Sequence, residues 1–411
     1  MNRLSCVVAF ALLGCASTSA PRGSREEAAT LQLIQAQLTA GGATPELLQR
    51  LAANRMRFFR MLAEWFEQRT CAAFHDVRSD LPTTAVQGDA HIEQFVVTHT
   101  TFGLEDFDRA GYGPAVIDLV RYSASLHIAC RDVTWPCDAN KAVAEFLDAY
   151  RAALLVAPPV LEPAVVARLR AKAPTTLDWL ERVDRLMHPM PSAVARDVVS
   201  SWQAFANGHP EWPEGASRIV RMGALHLGVG SALERKFLLR IEGPTEQPDD
   251  DVVIEAREGS PPSPVKCVKR GGGSELLALL FMQVIGRRLP DVHGLTMMFG
   301  LNRTFWLQSW DPGYVELSVR DIANQTELGE LAVDAAAQLA SAARTPGLDR
   351  KGRRPKVADQ IRAFDRTRAR IVTLAFELAD ESDTLWKRFR AGLAETKTAA
   401  VVSHSGGTKV R

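Results

Sequence analysis

The stretch "GDAHIEQFVVTHTTFGLEDFDRAGYGP", residues 88–114, places carboxyl groups on both sides of two short apolar runs. The runs "FVVTH" and "TTFGLED" predict two strands joined by a tight turn, and a hairpin sets its first and last residues side by side. Asp89 before the hairpin and Asp106 after it are therefore expected to face one pocket. Phosphoryl transfer requires such a pair, because one carboxylate orients the attacking hydroxyl and another holds magnesium. Aspartate is also common at hairpin ends for turn geometry alone, and that alternative remains open.

A longer string continues this pattern as far as Leu126 through "AVIDLVRYSASL". With these residues in this order, the chain resembles the bacterial family known as domain of unknown function 2252. That family is similar to aminoglycoside phosphotransferases and, more distantly, to protein kinases. The resemblance implies a two-lobed protein-kinase-like fold that binds magnesium and ATP between its lobes and transfers a phosphoryl group to an unknown acceptor.

The resemblance assigns roles by position to residues of this stretch. Asp89 matches the catalytic-loop aspartate, and His91 belongs to the same loop, where it is either catalytic or only a packing residue. Asp106 matches the aspartate that binds magnesium. Gln94 stands where the family usually has a metal-binding asparagine, and Asp108 is either a further metal ligand or a solvated neighbour.

Three more residues are expected to belong to the site, Asp118 and Arg121 as structural supports and Arg60 as a catalytic residue. Asp118 matches a buried aspartate that braces the catalytic loop, and Arg121 in the same segment is expected to pair with an acidic residue. Upstream, "RMRFFRM" resembles the family's Phe-x-Arg segment and points to Arg60.

A glycine-containing turn supplies a candidate phosphate-binding loop. "LHLGVGSALERKFLLRIEG" predicts a strand, a turn and a strand, and glycines let backbone N–H groups approach phosphate oxygens. By the same resemblance, the candidate nucleotide contacts are Gly228, Gly230 and Ser231 in the turn, Arg257 in the family's lysine position and Glu275 in the following helix. A simple turn between two strands explains "GVGS" equally well.

Three departures from the family pattern weaken the case for catalysis. Arg257 differs from lysine in reach and donor geometry, Gln94 is longer than asparagine, and Ala278 stands where a helix glutamate is usual. These departures favour an alternative function, a catalytically inactive kinase-like lipoprotein that acts as a binding scaffold or sensor.

Helical and strand-like segments alternate along the chain in blocks, which predicts an α+β protein with a mostly helical large lobe and a small antiparallel sheet lobe. Thr44 is expected to cap a helix that has Pro45 at its first position. The sheet block follows the catalytic hairpin, whereas in kinases it precedes the catalytic loop, so the resemblance implies a circular permutation. The predicted regions are a signal peptide (1–14), a tether (15–30), a helical lobe with the hairpin (31–210), a nucleotide-lobe-like sheet with one helix (211–312) and C-terminal helices that complete the large lobe (313–411).

The N-terminus "MNRLSCVVAFALLGC" has a basic residue, a short apolar run and a cysteine, which is the layout of an export signal. "LLGC" resembles a bacterial lipobox, which implies lipidation of Cys15 and an anchor in the outer membrane that leaves the protein facing the periplasm. A plain secretory signal is the alternative. In that oxidising compartment Cys130 and Cys137 could form a disulfide or remain two buried thiols.

The composition is that of a soluble globular protein with a substantial core, since 46% of the 411 residues are hydrophobic. The net charge of +1 gives no global field that would attract nucleic acid. A nucleic-acid partner is therefore not expected, and the oligomeric state is not indicated.

Overall fold

The computed structural model describes residues 30–32, 34, 36, 38, 43–208, 218–226, 235–258, 265–270, 292–298, 303–310, 313–344 and 356–405. The described part is α+β, as the sequence predicts. Several predicted positions lie outside the described residues, namely Cys15, Gly228, Gly230, Ser231, Glu275, Ala278 and the helix expected around them.

The helices of the described part follow one another in the order α1 (Pro45–Ala53), α2 (Arg55–Met61), α3 (Ala63–Ala73), α4 (Val116–Asp132), α5 (Ala139–Leu155), α6 (Ala164–Arg170), α7 (Thr176–Leu186), α8 (Ser192–Asn207), α9 (Gln325–Arg344) and α10 (Val357–Ser405). The predicted start of α1 is confirmed, because the Thr44 hydroxyl accepts the N–H of Leu47 at 3.3 Å and Pro45 follows it. The cap satisfies one backbone donor that the first helical turn leaves unpaired.

One apolar core unites α1 to α6 with the two C-terminal helices and contains Phe58, Tyr122, Phe146 and Leu339. α9 packs against α5, and α10 packs against α4. The end of the chain therefore returns to the helical part after the sheet has been formed. Among the described residues, no helix combines the length and the apolar character needed to cross a bilayer.

The strands are β1 (Thr83–Val86), β2 (Phe95–Val97), β3 (Phe102–Leu104), β4 (Gly111–Pro114), β5 (Ile219–Ala224), β6 (Lys236–Ile241), β7 (Val252–Glu258), β8 (Val292–Met298), β9 (Arg303–Trp310) and β10 (Val315–Glu316). The predicted hairpin is formed by β2 and β3, with Phe95 opposite Leu104. The predicted strand block is one antiparallel sheet in the order β5-β6-β7-β9-β8.

Two strands were not predicted from the sequence. β4 pairs with β1, and the two-residue β10 pairs with β2. "GYGP" lacks apolar alternation, and a two-residue strand is too short to show a period. β10 matters for the site, because it brings the end of the sheet block onto the hairpin.

α7 and α8 pack on the five-stranded sheet. Trp179 and Val183 of α7 contact an apolar cluster with Leu238 and Val253, while Trp202 of α8 belongs to a second cluster that covers the sheet. The sequence assigns both helices to the helical lobe, which was predicted to end at residue 210. In the structure they bury their apolar faces against β5, β6 and β7. A cleft remains between this layered sheet and the helical part.

The described part of the chain contains two disulfide bonds. Cys130 bonds to Cys137, which is one of the two alternatives that the sequence leaves. Cys71 bonds to Cys267, with Cα atoms 5.7 Å apart. The second bond ties α3 to the segment 265–270, and Lys269 of that segment pairs with Tyr112 of β4.

Candidate functional site

The loop before the hairpin is held by Asp118 in the first turn of α4. Its two carboxylate oxygens accept the backbone N–H groups of Gln87 and Gly88, each at 2.8 Å. Gly88 has φ +86°, and a Cβ there would lie 2.3 Å from the carbonyl oxygen of Arg109, so only glycine fits. Burial raises the pKa of Asp118 to about 7, although the two N–H groups oppose this shift.

Asp89 follows directly and is held by Arg121. The Nε and Nη2 atoms of Arg121 donate to Asp89 Oδ1 at 2.9 and 2.7 Å. The same guanidinium lies over the ring of Phe59 at 3.9 Å and donates to its backbone carbonyl at 3.1 Å. Burial raises the pKa of Asp89, while Arg121 and Arg109 oppose that shift. Arg121 thus fixes the carboxylate that the sequence assigns as the base.

His91 lies behind Asp89 and is fully buried. Neither ring nitrogen has a hydrogen-bond partner in the described part of the chain, and Nε2 is 3.9 Å from Asp89 Oδ2. Burial, reinforced by Arg60 and Arg121, lowers the pKa of His91 well below its usual value. The imidazole is therefore neutral at neutral pH and contributes packing around Asp89 rather than a charge.

Asp106 lies at the exit of the hairpin in an uncommon conformation. Its φ of +64° makes it the one non-glycine residue with positive φ among those that the structure describes, and such strain is typical of functional sites. Arg257 of β7 donates to Asp106 Oδ1 at 2.7 Å and to Asp108 Oδ2 at 2.8 Å. Burial opposes the ionisation of Asp106, but Arg257, Lys236 and Arg60 outweigh it and lower its pKa.

The cleft between the helical part and the sheet has a volume of about 480 Å³, within the range of small-molecule sites. Among the residues predicted from the sequence, Arg60, Gln94, Asp106 and Arg257 line it. Asp89, His91, Asp118 and Arg121 are not among the described residues that line it. The hairpin thus brings part of the predicted set to one cavity and leaves the rest as its support.

The cleft carries more positive than negative charge. Of the described residues that line it, the cations are Arg50, Arg57, Arg60, Arg182, Lys236 and Arg257, and the carboxyl groups are Glu93, Glu105, Asp106, Glu255 and Glu316. Nη1 of Arg60 lies 3.7 Å from Oε2 of Glu93, and Nζ of Lys236 lies 3.6 Å from Oε1 of Glu255. Arg50 acts on Glu46 one turn earlier on the same helix. Within the described ranges, Arg57 and Arg182 have no carboxylate partner, and both are exposed at the rim.

Several cleft residues were not predicted from the sequence. Tyr314 donates its hydroxyl to Glu105 at 2.5 Å, and burial raises the pKa of Glu105 to about 8. That carboxyl group is mostly protonated at neutral pH. Buried Glu255 accepts the indole N–H of Trp310 at 2.7 Å and faces Lys236. A charged residue inside the apolar strand "VVIEAR" was the one signal that could have revealed Glu255.

A family model described as "Uncharacterized protein conserved in bacteria (DUF2252)" matches residues 42–252, which is just over half of the chain. The chain belongs to the DUF2252 family. The match contains the braced loop, the hairpin and the first two strands of the sheet, so the family resemblance read from "GDAHIEQF" is confirmed. No curated protein and no solved structure matches the chain.

The magnesium that the resemblance implies does not fit this DUF2252 site as the side chains are placed. Asp106 and Asp108 both face Arg257, and Nε2 of Gln94 lies 3.4 Å from the carbonyl oxygen of Asp89. In the described part of the chain, no three histidine, cysteine or acidic side chains form a group able to hold a metal. Magnesium needs several oxygen atoms at about 2.0–2.1 Å around one point, and this donor set does not supply them.

Proposed function

We propose that this DUF2252 chain is a two-lobed, kinase-like binding protein whose cleft takes a phosphorylated ligand, with a nucleotide as the first candidate. It would act as a scaffold or sensor and not as a phosphotransferase. The circularly permuted kinase-like arrangement belongs to this proposal. It is supported by a sheet that follows the hairpin in sequence and faces it across the cleft, and by C-terminal helices that return to the helical part.

The observation that carries the proposal is the set of rim arginines without carboxylate partners in the described part. Arg57 approaches the cleft from the helical part, and Arg182 approaches it from α7 on the sheet side. A guanidinium offers paired donors that match phosphate oxygens. Because these cations are not neutralised by neighbouring acids, an anion that enters between them gains the interaction without displacing an ion pair.

The cleft also offers a surface for a flat apolar group. Trp179, Leu186 and Leu225 line it on the sheet side, and Trp310 stacks on Tyr314 with ring centroids 5.7 Å apart. A ligand with a ring and a phosphate would place the ring against these side chains and the phosphate towards the rim. This combination of an apolar wall and a few polar groups is typical of ligand sites.

The pairing of the hairpin carboxylates supports binding without transfer. Asp89 Oδ1 accepts two hydrogen bonds from Arg121, and Asp106 accepts one from Arg257. A general base must be free to accept a proton from the attacking hydroxyl. The ion pairs stabilise the charged form of both carboxylates, which makes each of them a weaker proton acceptor.

Titration of the purified protein with ATP, AMP and inorganic phosphate in the presence of a chelator tests the proposal. Tryptophan fluorescence and calorimetry report binding, since Trp179 and Trp310 line the cleft. We expect saturable binding of at least one compound, weakened at least about tenfold when Arg57→Ala and Arg182→Ala are combined. Arg185→Ala is the matched control, because Arg185 lies on the same helix and pairs with Glu181. Failure of all three compounds to bind, or equal loss in the control, would contradict the proposal.

A second candidate, a phosphotransferase with an unknown acceptor, is favoured by one pair. Lys236 lies 3.6 Å from Glu255 and lowers the pKa of Asp106, and a lysine–glutamate pair beside the phosphates is what phosphoryl transfer in kinases requires. Incubation with ATP and magnesium distinguishes the two functions. Turnover that is lost in Asp89→Asn would establish transfer, and nucleotide binding without turnover would leave the binding protein as the function.

We also propose that the chain is exported and anchored through lipidated Cys15 in the outer membrane, facing the periplasm. The disulfides Cys71–Cys267 and Cys130–Cys137 support export, since disulfides persist in oxidising compartments. Fractionation of expressing bacteria, with and without Cys15→Ser, tests the anchor. Release of that variant into the soluble periplasmic fraction is expected, and an unchanged membrane fraction would refute it.

A further inference from the structure

We propose that the guanidinium of Arg257 is the resident cation of the Asp106–Asp108 acid pair and takes the place that the family resemblance assigns to magnesium. The protein would then neither need nor bind a divalent cation at this position. This inference goes beyond the proposed function and does not depend on the identity of the ligand.

The geometry of the two ion pairs carries the inference. Nη1 of Arg257 lies 2.7 Å from Asp106 Oδ1, and Nη2 lies 2.8 Å from Asp108 Oδ2. One planar group thus bridges two carboxylates that come from alternate residues of one loop. A guanidinium presents donors in a fixed fork that matches this spacing. A metal ion would need the same oxygens to converge on one point.

The strand that carries Arg257 fixes its position. β7 lies inside the sheet, where Arg257 is opposite Lys236 on one side and Trp306 on the other. The Arg257 side chain is only 16% exposed. Because both neighbouring strands hold the backbone, the guanidinium is preorganised towards the hairpin exit and loses little freedom when it binds the acids.

The surrounding charges argue in the same direction. Lys236 and Arg60 also act on Asp106 and, together with Arg257, outweigh the burial that opposes its ionisation. With Arg257 in place, a divalent cation would add two positive charges beside the three cations that already act on Asp106. Repulsion at short range is costly where solvent screening is weak.

The consequence is structural. Asp106 and Asp108 belong to the hairpin exit of the helical part, and Arg257 belongs to the sheet, so the two ion pairs join the two sides of the cleft. Removal of Arg257 leaves two neighbouring carboxylates without this cation. A divalent or trivalent metal ion is then expected to bind where the guanidinium was and to restore the lost stabilisation.

Terbium and magnesium titrations of the purified full chain test this exchange. Terbium emission is sensitised by nearby tryptophan, and Trp306 lies opposite Arg257. We expect Arg257→Ala to bind terbium at least about tenfold more tightly than the wild-type protein and to regain part of its lost melting temperature in magnesium. Both effects should disappear when Asp106→Asn is added to Arg257→Ala.

Arg303→Ala is the matched control, since Arg303 lies on the adjacent strand β9 and pairs with Glu258 at 3.2 Å. It should bind terbium no more tightly than the wild-type protein. Equal terbium affinity in the wild-type protein and Arg257→Ala would overturn the inference. If Arg257→Ala does not fold, the wild-type protein still decides, because a magnesium-induced rise in its melting temperature that Asp106→Asn abolishes would also overturn it.

Discussion

The cleft residue Glu105 should make the stability of the protein depend on pH in a way that a single substitution removes. Its carboxyl group accepts the hydroxyl of Tyr314 at 2.5 Å. Burial raises its pKa to about 8, and the charges of Asp106, Glu316 and Glu255 add to that effect. Glu105→Gln keeps the shape and an oxygen that can accept the Tyr314 hydroxyl, but it cannot ionise.

The sign and the size of the effect follow from the two pKa values. The folded state holds the proton of Glu105 more tightly than the unfolded chain, in which the pKa of this carboxyl group is 4.5. The protonated Glu105 therefore adds to the free energy of unfolding in full at a pH below the pKa of the unfolded chain, and this contribution is lost as the pH rises through about 8. At about 1.4 kcal/mol for each pH unit between these values, the full effect is about 5 kcal/mol. Because Glu105 is partly exposed to the cleft, we expect ~2–3 kcal/mol.

Urea unfolding followed by tryptophan fluorescence, from about pH 5 to about pH 9, measures this difference. Glu105→Gln and the wild-type protein should have similar free energies of unfolding at the acidic end. At the alkaline end the variant should be more stable by ~2–3 kcal/mol. Glu246→Gln, at an exposed loop position, controls for the loss of one carboxylate. A difference between Glu105→Gln and wild type that stays constant with pH would refute the reasoning.

Three further predictions concern the loop and its attachment. Asp118→Asn should lower the free energy of unfolding in mildly acidic solution by ~1–3 kcal/mol, because an amide cannot accept both N–H groups of Gln87 and Gly88, and this loss should shrink as the pH rises through about 7, where the buried carboxylate of the wild-type protein ionises; urea unfolding at acidic pH that matches wild type would contradict this. Gly88→Ala should lower it by at least about 2 kcal/mol, since φ is +86° and a Cβ would contact a carbonyl oxygen at 2.3 Å; an unchanged melting temperature would count against it. Replacing Cys71 and Cys267 with serine should cost ~4 kcal/mol, because the bond closes a loop between residues 196 apart. Urea unfolding measures this loss, and a free energy of unfolding equal to that of the wild-type protein would contradict the prediction. Reduction of the wild-type protein breaks Cys130–Cys137 as well and should therefore cost at least as much.

The elements that the sequence predicts correctly are those with local signals. Thr44 and Pro45 define a helix start within four residues, and the β2–β3 hairpin follows from two apolar runs around a short turn. The two-residue β10 carries no such signal, because its pairing with β2 depends on chain that is distant in sequence. Period and capping describe local structure, whereas strand partners are decided by the tertiary fold.

The same distinction applies to the site. The motif around Asp89 and Asp106 is contiguous, so its residues and their order could be read from the sequence. The partner of Asp106 could not be, since Arg257 is 151 residues away and was expected to contact phosphates. Lys236 and Arg182 reach the cleft only because the sheet and α7 fold against the helical part. Side chains from distant elements meet through packing, and no local pattern encodes that meeting.

Both ends of the hairpin carry an aspartate that is bound by an arginine from another element. Arg121 comes from the helical part and Arg257 from the sheet. In a phosphotransferase these two carboxylates would have to be available, one to a hydroxyl proton and the other to a metal ion. Here their charges are already compensated, and the cations without carboxylate partners in the described part lie at the rim. The cations that are not paired with acids therefore lie at the entrance of the cleft and not beside the hairpin carboxylates. This arrangement supports the proposal that the cleft binds an anion and does not transfer a phosphoryl group.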